Sequence, residues 1–221
     1  MIRIKGAIFD VDGVLLDSMG IWDDVADRYL KKLGYEPEPG LRDILFSMSV
    51  EEGAAYVKAH YHLSQNVEEI ASGVIQIVED FYVQEVPLKP GVEEFLMEMK
   101  RRGIPMSVAT SSDKSHIRAA FTRLQIMDYF QKIHTCAETG AGKSEPKIYE
   151  EAAASLGTKP EETVVFEDAL HAVRTARQAG FPVVGVYDAA NEKDAARIQS
   201  MVTLYLKEWD CSRMWEYFVN K

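Results

Sequence analysis

The chain has 221 residues, 47% of them hydrophobic, with a formal net charge of −10; that suits one large domain or a core with an insertion, and it argues against nucleic-acid or anionic-membrane partners. Two cysteines, Cys136 and Cys211, lie far apart without metal spacing, which argues against a disulfide framework and for a reducing, cytoplasmic setting. The first strand begins almost at once, leaving no room for a signal peptide, and no apolar run approaches membrane-spanning length.

The apolar run Ala7-Ile8-Phe9 ends abruptly in Asp10-Val11-Asp12-Gly13-Val14-Leu15-Leu16-Asp17-Ser18. A buried parallel strand is apolar on both faces, and open α/β sheets do their chemistry at the carboxyl ends of strands. Asp10 and Asp12 are therefore expected at such an end, although Asp-Gly is also a common turn dipeptide. A long helical stretch follows. Trp22, Val25, Ala26, Tyr29, Leu30 and Leu33 recur at helical spacing, which favours a core position for Trp22 over a place lining the cleft between cap and core. Ser49 with Glu52 and Asn66 with Glu69 read as capping boxes opening two more helices. Pro87, Pro90 and Gly91 then punctuate a return.

From there strands and helices alternate. Strands are expected at 105–109, 133–135, 163–166, 182–187 and 202–206, and helices at 115–124, 146–156 and 169–179. The pattern predicts an α/β fold, a Rossmann-like parallel sheet with helices on both faces. One strand precedes the helical stretch and the others follow it. The expected domains are thus a discontinuous core, 1–17 and 87–221, and an inserted helical domain, 18–86. The aromatic tail Trp209, Trp215, Tyr217 and Phe218 is expected to pack on the core, with a dimer contact as the other reading; the oligomeric state stays unknown.

Three later strand ends carry polar groups. Ala109 leads into Thr110-Ser111-Ser112, Phe166 into Glu167-Asp168, and Lys143 stands in the loop before the 146–156 helix. Each has a use in phosphoryl transfer, where positioning and charge stabilisation supply most of the catalysis. A carboxylate can attack phosphorus, carboxylates can hold Mg²⁺, and hydroxyls, turn N–H groups and a lysine can hold phosphate oxygens. Each also has a plain structural reading: Thr110 and Ser111 as helix caps, Lys143 as a surface lysine, Glu167-Asp168 as a helix N-terminus. The five histidines are scattered without metal spacing.

Asp10-Val11-Asp12-Gly13-Val14, Ala109-Thr110-Ser111, Lys143 with Pro146 and Tyr149, and Glu167-Asp168 occur in that order. In this ordered set the chain resembles the haloacid dehalogenase superfamily of aspartate-nucleophile phosphohydrolases over nearly its full length. It is most similar to the β-phosphoglucomutase-like subgroup, whose helical cap follows the first strand. The resemblance implies Asp10 as nucleophile and Asp12 as general acid/base. It implies Thr110, Ser111 and Lys143 as phosphate-binding residues. It also implies a Mg²⁺ site of Asp10, Asp168, Glu167 and the Asp12 backbone carbonyl. Two departures stand out. Ser144 and Lys147 replace the Pro and Asp usual after the lysine, with a surface position favoured for Lys147. The cap stretch 46–52 has no Arg or Lys where mutases of the subgroup carry a basic clamp. The expectation is therefore a Mg²⁺-dependent phosphatase of small phosphorylated metabolites, sugar phosphates foremost, with cap closure excluding water. A sugar-phosphate mutase is the alternative within the family. A phospho-accepting receiver domain and a ligand-binding pseudo-enzyme are the alternatives outside it.

Overall fold

The structure, a computed structural model, describes residues 2–210 and 214–220. It divides into two compact units, Met1–Ser18 with Val86–Lys221, and Met19–Glu85.

The smaller unit is helical: α1 (Ile21–Lys32), α2 (Leu41–Leu45), α3 (Val50–Tyr61) and α4 (Val67–Gln84). Both capping boxes form. Ser49 Oγ accepts from the Glu52 N–H at 3.2 Å while Glu52 Oε2 accepts from the Ser49 N–H at 2.8 Å. Asn66 and Glu69 repeat the arrangement at 2.9 and 2.8 Å. Ile21, Val25, Tyr29 and Leu30 of α1 and Ile70, Ile77, Val78, Phe81 and Tyr82 of α4 form the buried faces. Trp22 is not among them. It is 48% exposed, because a helical step of about 100° turns it away from the Ile21–Val25–Tyr29 stripe.

The larger unit is built on a six-stranded parallel sheet. A short strand, β1 (Ile2–Ile4), pairs outside that sheet with the C-terminal β8 (Phe218–Asn220). The sheet strands are β2 (Gly6–Phe9), β3 (Met106–Thr110), β4 (Phe130–Thr135), β5 (Thr163–Glu167), β6 (Val183–Val186) and β7 (Leu204–Leu206), in the order β4-β3-β2-β5-β6-β7. Its helices are α5 (Val92–Arg101), α6 (Lys114–Arg123), α7 (Cys136–Thr139), α8 (Lys147–Ser155), α9 (Leu170–Gln178) and α10 (Ala195–Met201). The central strands are buried throughout, as a sheet covered on both faces requires.

Successive side chains point to opposite faces. Phe9 and Phe166 stack at 4.6 Å and meet Phe95 of α5 and Trp209. Ile8 and Val165 instead join Ile148, Tyr149, Leu170 and Val173 of α8 and α9. The aromatic tail packs as expected: Trp209 is buried and donates its indole N–H to the Val14 carbonyl at 3.2 Å, and Trp215 stacks on Phe95 at 5.8 Å.

Some elements differ from the sequence-based expectation. The return after Pro87 contains a full helix, α5, whose Val92, Phe95, Leu96 and Met99 make an i, i+3, i+4, i+7 stripe hidden behind three turn-forming residues. Helix α10 buries only Ile198, so it shows no apolar period. Strand β4 begins at Phe130, earlier than the expected 133, because the exposed Gln131 and Lys132 interrupt its apolar pattern. Cys136 is a free thiol, and Cys211 lies outside the described residues.

Candidate active site

Strand β2 pairs in parallel with β3 and β5, with Phe9 opposite Val108 and Phe166. Continuing that register sets Asp10 level with Ala109 and Glu167, one residue short of Thr110. The Asp10 N–H still bonds the Phe166 carbonyl, at 3.0 Å. Asp10, Thr110 and Glu167 therefore gather where three central strands end, for no reason beyond strand length and register.

The chain then turns sharply. The Val11 carbonyl accepts from the Val14, Leu15 and Leu16 N–H groups at 3.3, 2.9 and 2.9 Å. Gly13 sits at φ +76, and a Cβ there would collide with the Asp168 carboxylate. A side chain at this position is thus excluded by both backbone and space. Asp12 is held by two hydroxyls: Ser18 Oγ donates to Oδ1 at 2.7 Å and Ser112 Oγ to Oδ2 at 2.5 Å. Thr110 is fully buried, and its hydroxyl accepts from the Ser112 N–H at 3.0 Å. Ser111 is exposed, with its Oγ 3.4 Å from Cys136 Sγ. Neither Thr110 nor Ser111 caps α6; Asp113 does, accepting from the Ser115 N–H at 2.7 Å.

Lys143 is not a surface lysine. It is 6% exposed, and its ammonium pairs with Asp10 Oδ1 and, at 2.7 Å, with Glu167 Oε1. The hydroxyl of Tyr149 donates to the same Glu167 oxygen at 2.8 Å. Glu167 Oε2 is buried with no hydrogen-bond partner. Asp168 follows, with Oδ2 accepting from Asn191 Nδ2 at 2.7 Å. Lys147 is exposed and reaches the Thr139 carbonyl at the end of α7, consistent with a surface role.

Carboxylate oxygens of Asp10, Glu167 and Asp168 all lie within 4.8 Å of one another. Three buried acids lie together and the Lys143 ammonium pairs with two of them, so charge is left over. Burial raises the Asp10 carboxyl well above its usual range; Lys143 opposes this, and Glu167, Asp168 and Asp12 reinforce it. Burial likewise pushes Asp168 up to about 7, with Glu167 adding and Lys143 opposing. Burial works against the Lys143 ammonium, but Asp10 and Glu167 outweigh it and hold its proton more tightly than usual. A divalent cation fits this site. The donors are all oxygen, which suits a hard ion, and the orphaned Glu167 oxygen is an open ligand.

Three residues of this neighbourhood were not singled out from sequence: Ser112, Asn191 and Asp188. Asp188 is 6% exposed and pairs with Lys89 at 2.8 Å. It follows the expected 182–187 strand, so the strand-end signal that marked Thr110 and Glu167 was present there as well.

Comparison with known proteins agrees with the architecture. The haloacid dehalogenase-like hydrolase family matches residues 7–186. The chain is 26% identical to the phosphorylated carbohydrates phosphatase of Thermotoga maritima over 206 residues, 93% of this chain and 95% of that one. It is 27% identical to hexitol phosphatase B of Escherichia coli over 183 residues, 80% and 81% of the two chains. Among solved structures, a candidate beta-phosphoglucomutase from Thermotoga maritima superposes with a TM-score of 0.85 at 24% identity, covering 97% of this chain and 99% of that one. With an α/β sheet of six parallel strands and a family match over most of its length, the chain belongs to the haloacid dehalogenase-like hydrolases.

Proposed function

We propose that this enzyme is a Mg²⁺-dependent phosphatase that hydrolyses small phosphorylated metabolites, sugar and polyol phosphates foremost, through an aspartyl-phosphate. The observation that carries the reading is the buried trio Asp10, Glu167 and Asp168, the first two paired with Lys143, beside a hydroxyl-held Asp12. The names of the two phosphatase relatives support the substrate class.

In this reading an Asp10 carboxylate oxygen attacks phosphorus and the P–O bond to the metabolite breaks. Asp12 gives its proton to the leaving oxygen. Asp12 then takes a proton from water as that water attacks phosphorus. The bond from phosphorus to Asp10 breaks and inorganic phosphate leaves. Ser18 and Ser112 keep the Asp12 carboxyl in one orientation through both steps. Lys143 offsets charge on Asp10 and on the incoming phosphoryl group, and Thr110 and Ser111 supply hydroxyls to its oxygens. Asp10, Asp168, Glu167 and the Asp12 backbone carbonyl would hold Mg²⁺, which when bound neutralises phosphate charge and favours ionised Asp10. The helical insertion, 18–86, is proposed as the cap that selects the substrate.

A mutase is the weaker reading. It needs fixed cations for a second phosphate, and the two cations flanking 46–52 are already engaged within the helical unit. Arg42 pairs with Asp23 at 2.9 Å, and Lys58 is tied to the carbonyls of Leu63 and Gln65. The test measures phosphate release from a panel of phosphorylated sugars, polyols, nucleotides and small acids, with Mg²⁺ and with chelator. Mg²⁺-dependent release, lost by several orders of magnitude in Asp10→Asn, is expected. A parallel arm supplies β-glucose 1-phosphate with catalytic glucose 1,6-bisphosphate. Glucose 6-phosphate formed with no free phosphate would overturn the hydrolytic reading.

A further inference from the structure

The loop after β6 carries no residue with a role in the proposed chemistry, yet four bonds hold it in place and a fifth joins it to the site. Lys89, in the segment that leads into α5, donates to the Tyr187 carbonyl at 2.7 Å and pairs with Asp188 Oδ2 at 2.8 Å. Its side chain is 14% exposed, that of Asp188 6%. Asp188 Oδ1 accepts from the Ala190 N–H at 2.9 Å, and the Asp188 carbonyl from the Asn191 N–H at 3.1 Å. These contacts close a short 3₁₀ turn, Ala189–Asp194, and its third residue, Asn191, donates to Asp168 Oδ2 at 2.7 Å. A surface loop would not need a buried ion pair to form a turn. Here the buried pair ties the turn to the segment that leads into α5.

We infer that Asn191 is a positioning residue for Asp168, presented by a loop that the Lys89–Asp188 pair anchors. Asp168 directly follows β5, and its Oδ2 accepts from the Asn191 amide. Gly13 leaves room for that carboxylate, and Asp188 Cβ lies 3.3 Å from where a Gly13 Cβ would stand. The Asn191 amide occupies one Asp168 oxygen and leaves the other for a metal ion. An amide donor directs the carboxylate without competing for the cation, as a lysine or arginine at that place would. Carboxylates that ligate metals are commonly oriented by such outer partners, whose loss weakens affinity about 10–100-fold.

The inference rests on the metal-dependent reading of the site, and Mn²⁺ as a probe separates the two. Binding of Mn²⁺ to the metal-free full chain is followed by electron paramagnetic resonance, with melting temperature and the Mg²⁺ dependence of phosphate release measured in parallel. Asn191→Ala is expected to weaken Mn²⁺ binding about 10-fold. Its melting temperature should stay close to that of the unsubstituted chain, and saturating Mg²⁺ should restore most of the turnover rate. A purely structural role would lower melting and turnover together with no recovery by Mg²⁺, and that result would overturn the inference. Mn²⁺ binding unchanged in Asn191→Ala would overturn it too, while leaving the metal reading intact. No Mn²⁺ binding by the unsubstituted chain would remove the metal reading and this inference together. If Asn191→Ala fails to fold, Lys89→Met serves as the second variant. It keeps Asn191 but frees the loop, and a several-fold loss of Mn²⁺ affinity is expected; unaltered affinity in a folded Lys89→Met chain would count against the anchor.

Discussion

Replacing Asp168 by Asn should make the metal-free protein more stable above pH 7. Asp168 is 4% exposed, and burial pushes its carboxyl from 3.8 to about 7, with Glu167 adding and Lys143 opposing. In the unfolded chain the same carboxyl titrates near its ordinary value. Below about pH 4 both states are protonated and the residue costs nothing. As pH rises from about 4 to about 7 the unfolded chain ionises and the folded one resists, so stability falls; above about 7 the full cost remains. At about 1.4 kcal/mol per pH unit the difference amounts to about 4 kcal/mol. An Asn side chain keeps the shape, still accepts from Asn191, and carries no charge to desolvate. The variant should therefore melt about 10 °C higher at pH 8 in chelator, at the 2–4 °C per kcal/mol typical of chains this long. At pH 4 the two proteins should melt together. Adding Mg²⁺ should narrow the gap by raising only the unsubstituted chain, by about 2.7 kcal/mol at 100 times its dissociation constant. Equal melting at pH 8 in chelator, or a gain as large at pH 4, would refute the reasoning.

The remaining predictions concern the residues around Asp10. Asp12→Asn should slow turnover about 10²–10⁴-fold and let an acyl-phosphate accumulate, read by acid quench of labelled enzyme; normal rates for both steps would remove Asp12 from the chemistry. Lys143→Met takes away the ammonium shared by Asp10 and Glu167 and should cost about 3–5 kcal/mol of stability, measured by urea unfolding at pH 8 in chelator, with a smaller loss at pH 5, where Asp10, its carboxyl raised by burial, protonates more readily. Tyr149→Phe removes a donor from Glu167 Oε1 but leaves Lys143 on that oxygen, so stability should fall by only about 1–3 kcal/mol, and a larger loss in the same urea assay would mean that the tyrosine carries more of the network than one hydrogen bond.

The local rules written in the sequence were enough for the layers of the fold. Buried parallel strands need apolar side chains on both faces, so 7–9, 105–109 and 163–166 announce themselves, and the polar residues that follow them mark one edge of the sheet. The capping boxes at Ser49 and Asn66 are equally local, since both partners lie within one turn. The site motifs were legible for the same reason: Asp10, Thr110 and Glu167 each sit at a strand end, and parallel pairing brings strand ends together. Where the local signal was masked, the reading failed: turn residues hid α5, and one buried residue left α10 without a period. Tertiary structure alone decided what the polar residues meet. Lys143 becomes a buried counter-ion because it stands between Asp10 and a glutamate 24 positions away. Ser112 meets Asp12 across 100 positions, and Lys89 meets the Tyr187 carbonyl across 98. Such pairs carry no period and no spacing. They exist because desolvated charges must find partners or be expelled, and only the assembled sheet determines which partners lie within reach.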